Sequence, residues 1–176
     1  MSPSDDPHRA PPPAADPAWW AYGDTMLVFP TAATPLGVDL RHPLPAVVPA
    51  RLQAHVGGSR FGVVTPADPA GQPLDAAANA SRLAAFAAEL HAAGLPAVPA
   101  DGCDPAATHR EPGFAVVAPQ PTVRALAARW GQTAFYWFDG DRVWLVPTHP
   151  AYPALPLPTT AAALAAVARN PPPVAP

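Results

Sequence analysis

The stretch from Phe61 to Gln132 constrains the fold of this chain most, because it alternates short apolar runs with helical periods and punctuates each change. Phe61-Gly-Val-Val-Thr65 is an apolar run of strand length and reads as a buried strand. Pro66 to Pro73 forms a turn, Asp75 stands where a helix N-cap belongs, and Gly94 marks the stop, so a helix is predicted up to Ala93. At roughly 100° per residue, Leu83, Phe86, Ala87 and Leu90 make one apolar stripe. Asn79 lies in line with that stripe and Arg82 at its edge. A buried amide left unpaired costs about 1–3 kcal/mol, so Asn79 is expected to be largely buried and hydrogen-bonded, and the start of this helix is a place to look for a site.

The same reasoning carries through the rest of the chain. Residues 1–17 mix Pro, Ala, Ser and Asp without a period and read as a disordered lead. Order is expected from Ala18, where Trp19, Trp20 and Tyr22 precede a first strand, Thr25 to Phe29. Prolines from Thr31 to Pro49 exclude a long helix, and Ala50 to Val56 is at most a short one before Gly57-Gly58. Leu95 to Pro99 fits an edge strand, where proline is tolerated. Ala100 to Pro112 reads as a polar loop, and Gly113 to Ala118 as a strand covered on both faces and central in the sheet. Thr122 to Trp130 follows as a helix with Val123, Leu126, Ala127 and Trp130 on its inner face and Gly131 at its cap. Thr133 to Phe138 and Arg142 to Val146 form a hairpin turning at Asp139-Gly140, a type I′ signal. The expected organisation is therefore one small α/β (α+β) domain over 18–150, with a mixed sheet of about four to six strands, two main helices and that hairpin. Residues 151–176 read as a Pro-rich tail with a short Ala-rich helix at 159–169, and the last residues as fraying.

Composition excludes several function classes. A single cysteine, Cys103, excludes an intrachain disulfide and fits a reducing cytoplasm. No apolar stretch approaches a membrane span, and the N-terminus lacks a cationic segment followed by an apolar run. All 10 basic residues are arginines and the formal charge is −3, so binding to a phosphate backbone has little electrostatic support. The absence of lysine beside 29 prolines and abundant alanine reads as GC-rich coding bias, so the prolines carry little functional weight.

The turn Thr65-Pro-Ala-Asp-Pro69, Asn79 with Arg82, Gly102 and Asp104, Glu111-Pro-Gly-Phe114, and Trp130-Gly-Gln132 together, by order and spacing, resemble a bacterial family known as domain of unknown function 3293. Ala21-Tyr22 and Thr25 extend the resemblance to roughly 18–146. The family's turn usually reads Thr-Ala-x-Asn-Pro, and here Pro66 takes the Ala place and Asp68 the Asn place. The resemblance implies a small α/β domain and carries no known activity.

The candidate site residues are Asn79, Arg82, Glu111 and Gln132, which are expected to converge at one end of the sheet, joined by Thr65 and Asp68 of the turn. Glu111 is the candidate general base or ligand clamp, and Arg82 either holds an anion or pairs with Glu111. The competing reading is a structural polar network. Cys103 beside two aspartates should have its thiolate disfavoured. Asp101, Asp104 and His109 can be read as a metal set or as solvated loop acids, the histidines show no zinc spacing, and no metal site is expected. No cofactor follows from the residues. Two functional readings remain: binding of a small polar or anionic ligand in that pocket, with or without catalysis, or a protein-interaction module built on Trp19, Trp20 and the tails. Nucleic acid and membrane partners are not expected.

Overall fold

The computed structural model describes residues 12–169. Strands β1 (Met26–Phe29) and β2 (Leu36–Asp39) form a hairpin, and helix α1 (Val48–Val56) ends on Gly57. Strand β3 (Arg60–Val64) leads through the turn into α2 (Ala76–Ala92), capped by Asp75, whose carboxylate accepts from Ala78 N at 2.7 Å. Then come β4 (Ala97–Pro99), β5 (Asp101–Cys103), β6 (Arg110–Glu111), β7 (Phe114–Val116) and α3 (Gln120–Arg129). Strands β8 (Ala134–Asp139), β9 (Arg142–Pro147) and β10 (Leu155–Leu157) precede α4 (Ala161–Arg169).

The class is α+β, with four main helices and two sheets among the described residues. The sheet arrangement corrects the single mixed sheet: every pairing is antiparallel, in one sheet ordered β2-β1-β5-β6 and another ordered β10-β9-β8-β3-β7-β4. The residues expected to be a polar loop supply β5 and β6, which continue the small sheet beyond β1. Strand β7 is covered on both faces as expected, yet it stands next to the edge strand β4; β8 and β3 hold the centre.

Period-two alternation in the large sheet separates two cores. Val64, Val116, Phe135, Trp137 and Val146 point to the layer holding Phe86 and Leu90 of α2 and Val123, Leu126 and Ala127 of α3. Phe61, Val63, Ala115, Ala134, Tyr136, Phe138, Val143 and Leu145 point the opposite way, onto β1, β2, α1 and α4. Phe61 and Phe138 are cross-strand partners whose rings stack at 4.5 Å, with Phe29 of β1 edge-on to both. Leu83 and Ala87, expected in the core stripe, are only half-buried. At Gly113 the backbones approach so closely that a Cβ would lie 2.4 Å from the Val64 carbonyl oxygen.

The hairpin is present with a shifted turn. Asp139 pairs with Arg142, so the two loop residues are Gly140 and Asp141, and of these Gly140 alone has positive φ, at 67°. A left-handed first loop residue is the type II′ pattern, in place of the expected I′ at Asp139-Gly140. Beyond residue 150, β10 adds to the edge at β9, and Leu164 and Val167 of α4 are buried, with Trp19 donating to the Leu164 carbonyl at 3.0 Å. The packed body therefore runs to Arg169, and Asp16, ahead of residue 18, is buried within it. Residues 1–11 of the expected lead and residues 170–176 at the other end lie outside the described residues.

Candidate functional site

The loop after β3 is the hub. Three of the residues singled out in the sequence each hold one residue of it: Arg82 Nε donates to the Pro66 carbonyl at 2.6 Å, and Gln132 Nε2 donates to the Ala67 carbonyl at 2.7 Å. Asn79 takes Asp68 twice, accepting from its backbone N–H at 3.1 Å and donating to its carboxylate at 2.8 Å. The loop needs such holding because Asp68 and Ala70 have φ of 40° and 52°, a left-handed conformation costly for residues with a Cβ. Thr65 closes the other end, its hydroxyl donating to the Pro112 carbonyl at 2.9 Å and accepting from Ala67 N at 3.1 Å.

This corrects the expected convergence. Arg82 does not meet Glu111; its guanidinium donates to the Pro66 and Trp130 carbonyls, both at 2.6 Å, and lies 5.2 Å from the Trp130 ring centroid. Asn79 is half-buried and hydrogen-bonded, and it lies behind the loop. Both residues bond to the loop that carries Asp68, Asn79 to Asp68 itself and Arg82 to Pro66.

A pocket of about 190 Å³ is lined by residues of both sheets. Thr65, Asp68, Glu111 and Gln132 line it, together with Tyr22, Thr25, His109 and Tyr136; Asn79 and Arg82 do not. The wall toward the large sheet is apolar, with Val63 and Ala134, and Leu27 of β1 faces them. Gly102 of β5 is the Cα partner of Glu111 on β6, so the missing side chain leaves open space directly beside the carboxylate.

Glu111 pairs with His109, Nε2 to Oε1 at 2.9 Å, and the two are joined by Asp68: ligand-type atoms of all three lie within 4.8 Å of one another. Burial pushes the Glu111 carboxyl above its ordinary value, outweighing the lowering effect of His109. The hydrogen bond with Glu111 raises the His109 imidazole. Burial also raises the phenols of Tyr22 and Tyr136, keeping both protonated as donors: Tyr136 to the Tyr22 carbonyl at 3.0 Å, with the Thr25 hydroxyl 2.7 Å from its oxygen, and Tyr22 to Asp16 at 3.3 Å. Cys103 lines the pocket with its thiol raised, mainly by burial, so its thiolate is disfavoured as expected, although the two aspartates are the lesser cause.

The sequence reading missed His109 as a partner of Glu111. The signal was present: residues two apart in an extended segment face the same side, and His109-Arg110-Glu111 has that spacing. Asp101, by contrast, is taken by Arg110, whose Nε donates to it at 2.8 Å, so the metal set of Asp101, Asp104 and His109 does not assemble. Chemically, the arrangement offers a half-buried carboxylate and an imidazole at the mouth of an apolar pocket, a combination suited to accepting hydrogen bonds, moving a proton or ligating a cation.

An α+β fold of two antiparallel sheets with a polar-ended pocket between them is the class these observations define. Residues 64–135, from the end of β3 to the start of β8, are similar to the family described as Protein of unknown function (DUF3293). No curated protein and no solved structure matches the chain. Among the described residues no helix is long and apolar enough to cross a membrane.

Proposed function

We propose that the pocket between the sheets binds a small polar molecule, with Glu111 as the group that clamps it or takes its proton. The observation that carries this reading is the pocket itself, which is apolar along Leu27, Val63 and Ala134 and polar at Asp68, His109, Glu111 and Gln132. Such a division suits a ligand with one hydrophobic body and one hydrogen-bonding end. The charge of the ligand differs from the sequence expectation. Asp24, Asp68, Asp104 and Glu111 line the pocket against His109 alone, and Arg82 is spent on carbonyls, so the lining by itself favours a neutral or cationic molecule over an anion. The interaction-module reading loses its anchor because Trp19 is buried, leaving Trp20 as the exposed member of the aromatic start. With its lone cysteine the chain fits the cytoplasm.

Native mass spectrometry of the protein purified without denaturation tests the proposal. A small molecule retained by the wild type and lost on Gly102→Leu, which fills the space beside Glu111, supports it. A retained molecule unaffected by that substitution overturns it.

A further inference from the structure

We infer that Asp68, His109 and Glu111 hold a divalent transition-metal ion at the polar end of this pocket, with open coordination positions facing the cavity. The inference deepens the pocket-binding reading and rests on it for the ligand that those open positions receive.

The donor set comes from two separate parts of the chain, the loop after β3 and the β6 segment, brought together by pairing in different sheets. One imidazole nitrogen and two carboxylates suit manganese, zinc or iron, whereas calcium and magnesium favour all-oxygen sets. Metal bonds of about 2.0–2.2 Å at cis or tetrahedral angles place neighbouring donors about 3–3.6 Å apart. The donor atoms here already lie within 4.8 Å, and the His109 to Glu111 separation of 2.9 Å is that of two neighbouring ligands on one ion. Asp68, within 4.8 Å of both, closes onto this pair when the ion is bound.

Two further features favour an ion. Asp68 is oriented from outside the trio: its Oδ1 accepts from Asn79 Nδ2 and from Leu74 N, both at 2.8 Å, leaving Oδ2 for a ligand bond. The pocket that the trio lines has no arginine in its lining, and the buried Asp16, whose charge acts on Glu111, has no cation paired to it among the described residues. A divalent ion would neutralise the Asp68 and Glu111 charges together. Three protein ligands leave room for a water or substrate, the count that catalytic zinc sites use, and a loaded site would take an oxygen donor such as a carboxylate or diol. That restores a place for the anionic ligand that the lining alone disfavours.

The test is titration of metal-free protein with Mn²⁺ followed by electron paramagnetic resonance, and with Zn²⁺ followed by calorimetry. One ion per chain is expected, with affinity reduced at least about 100-fold in His109→Ala and Asp68→Asn and about 10–100-fold in Asn79→Ala. His109 is an exposed side chain, so His109→Ala keeps its fold and remains informative if a buried variant fails. Wild type and His109→Ala binding the ions equally, or neither binding them, overturns the metal site. Failure of the pocket reading looks different: the ion binds as described, yet no carboxylate, diol or amine probe alters its resonance or the melting temperature.

Discussion

Asn79 and Asp68 are joined by two hydrogen bonds of 3.1 and 2.8 Å, one through the backbone and one through the carboxylate. The pair links the first turn of α2 to the rim of the pocket, and it explains why an amide sits on that helix face. Asn79→Ala leaves the Asp68 N–H and one carboxylate oxygen short of a partner in a left-handed loop. Equilibrium unfolding in urea should show a loss of about 1–3 kcal/mol. An unchanged midpoint would mean that Arg82 and Gln132 suffice to hold the loop.

Gly113 provides a sharper packing test. Its Cβ position lies 2.4 Å from the Val64 carbonyl oxygen and 3.0 Å from the Thr65 Cα, both backbone atoms that no rotamer change can move. Gly113→Ala should therefore cost about 1–3 kcal/mol in thermal or chemical unfolding and should loosen the approach of Glu111 to the pocket.

The hairpin prediction follows from the observed register. Gly140→Val places a β-branched side chain at a φ of 67° and should destabilise the fold by at least about 1–2 kcal/mol. Asp141→Ala should change little, because Asp141 does not need a left-handed backbone. Amide exchange in β8 and β9 would rise in the first variant and stay protected in the second.

Acid response should include a small contribution from Asp39. Hydrogen bonds from Arg41 lower its carboxyl from 3.8 to about 2. A carboxyl depressed by folding stabilises above its unfolded value, and that contribution fades as pH falls from about 4 through about 2. The pair is partly exposed, which limits it to under about 1 kcal/mol. Asp39→Asn should flatten the unfolding free energy against pH in that window alone; an unaltered profile would count against the ion pair.

Much of the fold was legible because its signals are local. The Asp75 cap, the Gly94 and Gly131 stops and the aromatic hairpin each depend on a few neighbouring residues. Strands β2, β5, β6 and β10 escaped reading because they are two to four residues long and exist through pairing with distant partners, β10 with a proline at its middle. The turn slipped by one residue because glycine serves equally as the second residue of one turn type and the first of another. At the site, helical phase located Asn79 and Arg82 against the protein interior, but phase says nothing of what a long side chain reaches. Arg82 reached carbonyls and Trp130. Glu111, Gln132, Thr65 and Asp68 do share one pocket, since the loop that Asn79, Arg82 and Gln132 hold is also its rim.

The central claim is that Glu111 faces a ligand rather than serving the fold. The direct measurement is the melting temperature of wild type and Glu111→Gln against a panel of small carboxylates, diols and amines, each with and without Mn²⁺. Because burial already disfavours the Glu111 charge, the substitution should leave the unliganded melting temperature within a few degrees of wild type. At least one panel member should stabilise the wild type, and that shift should vanish in the variant. A variant that melts far below wild type, together with no ligand-dependent shift in the wild type under either metal condition, would contradict the account and return Glu111 to a structural role.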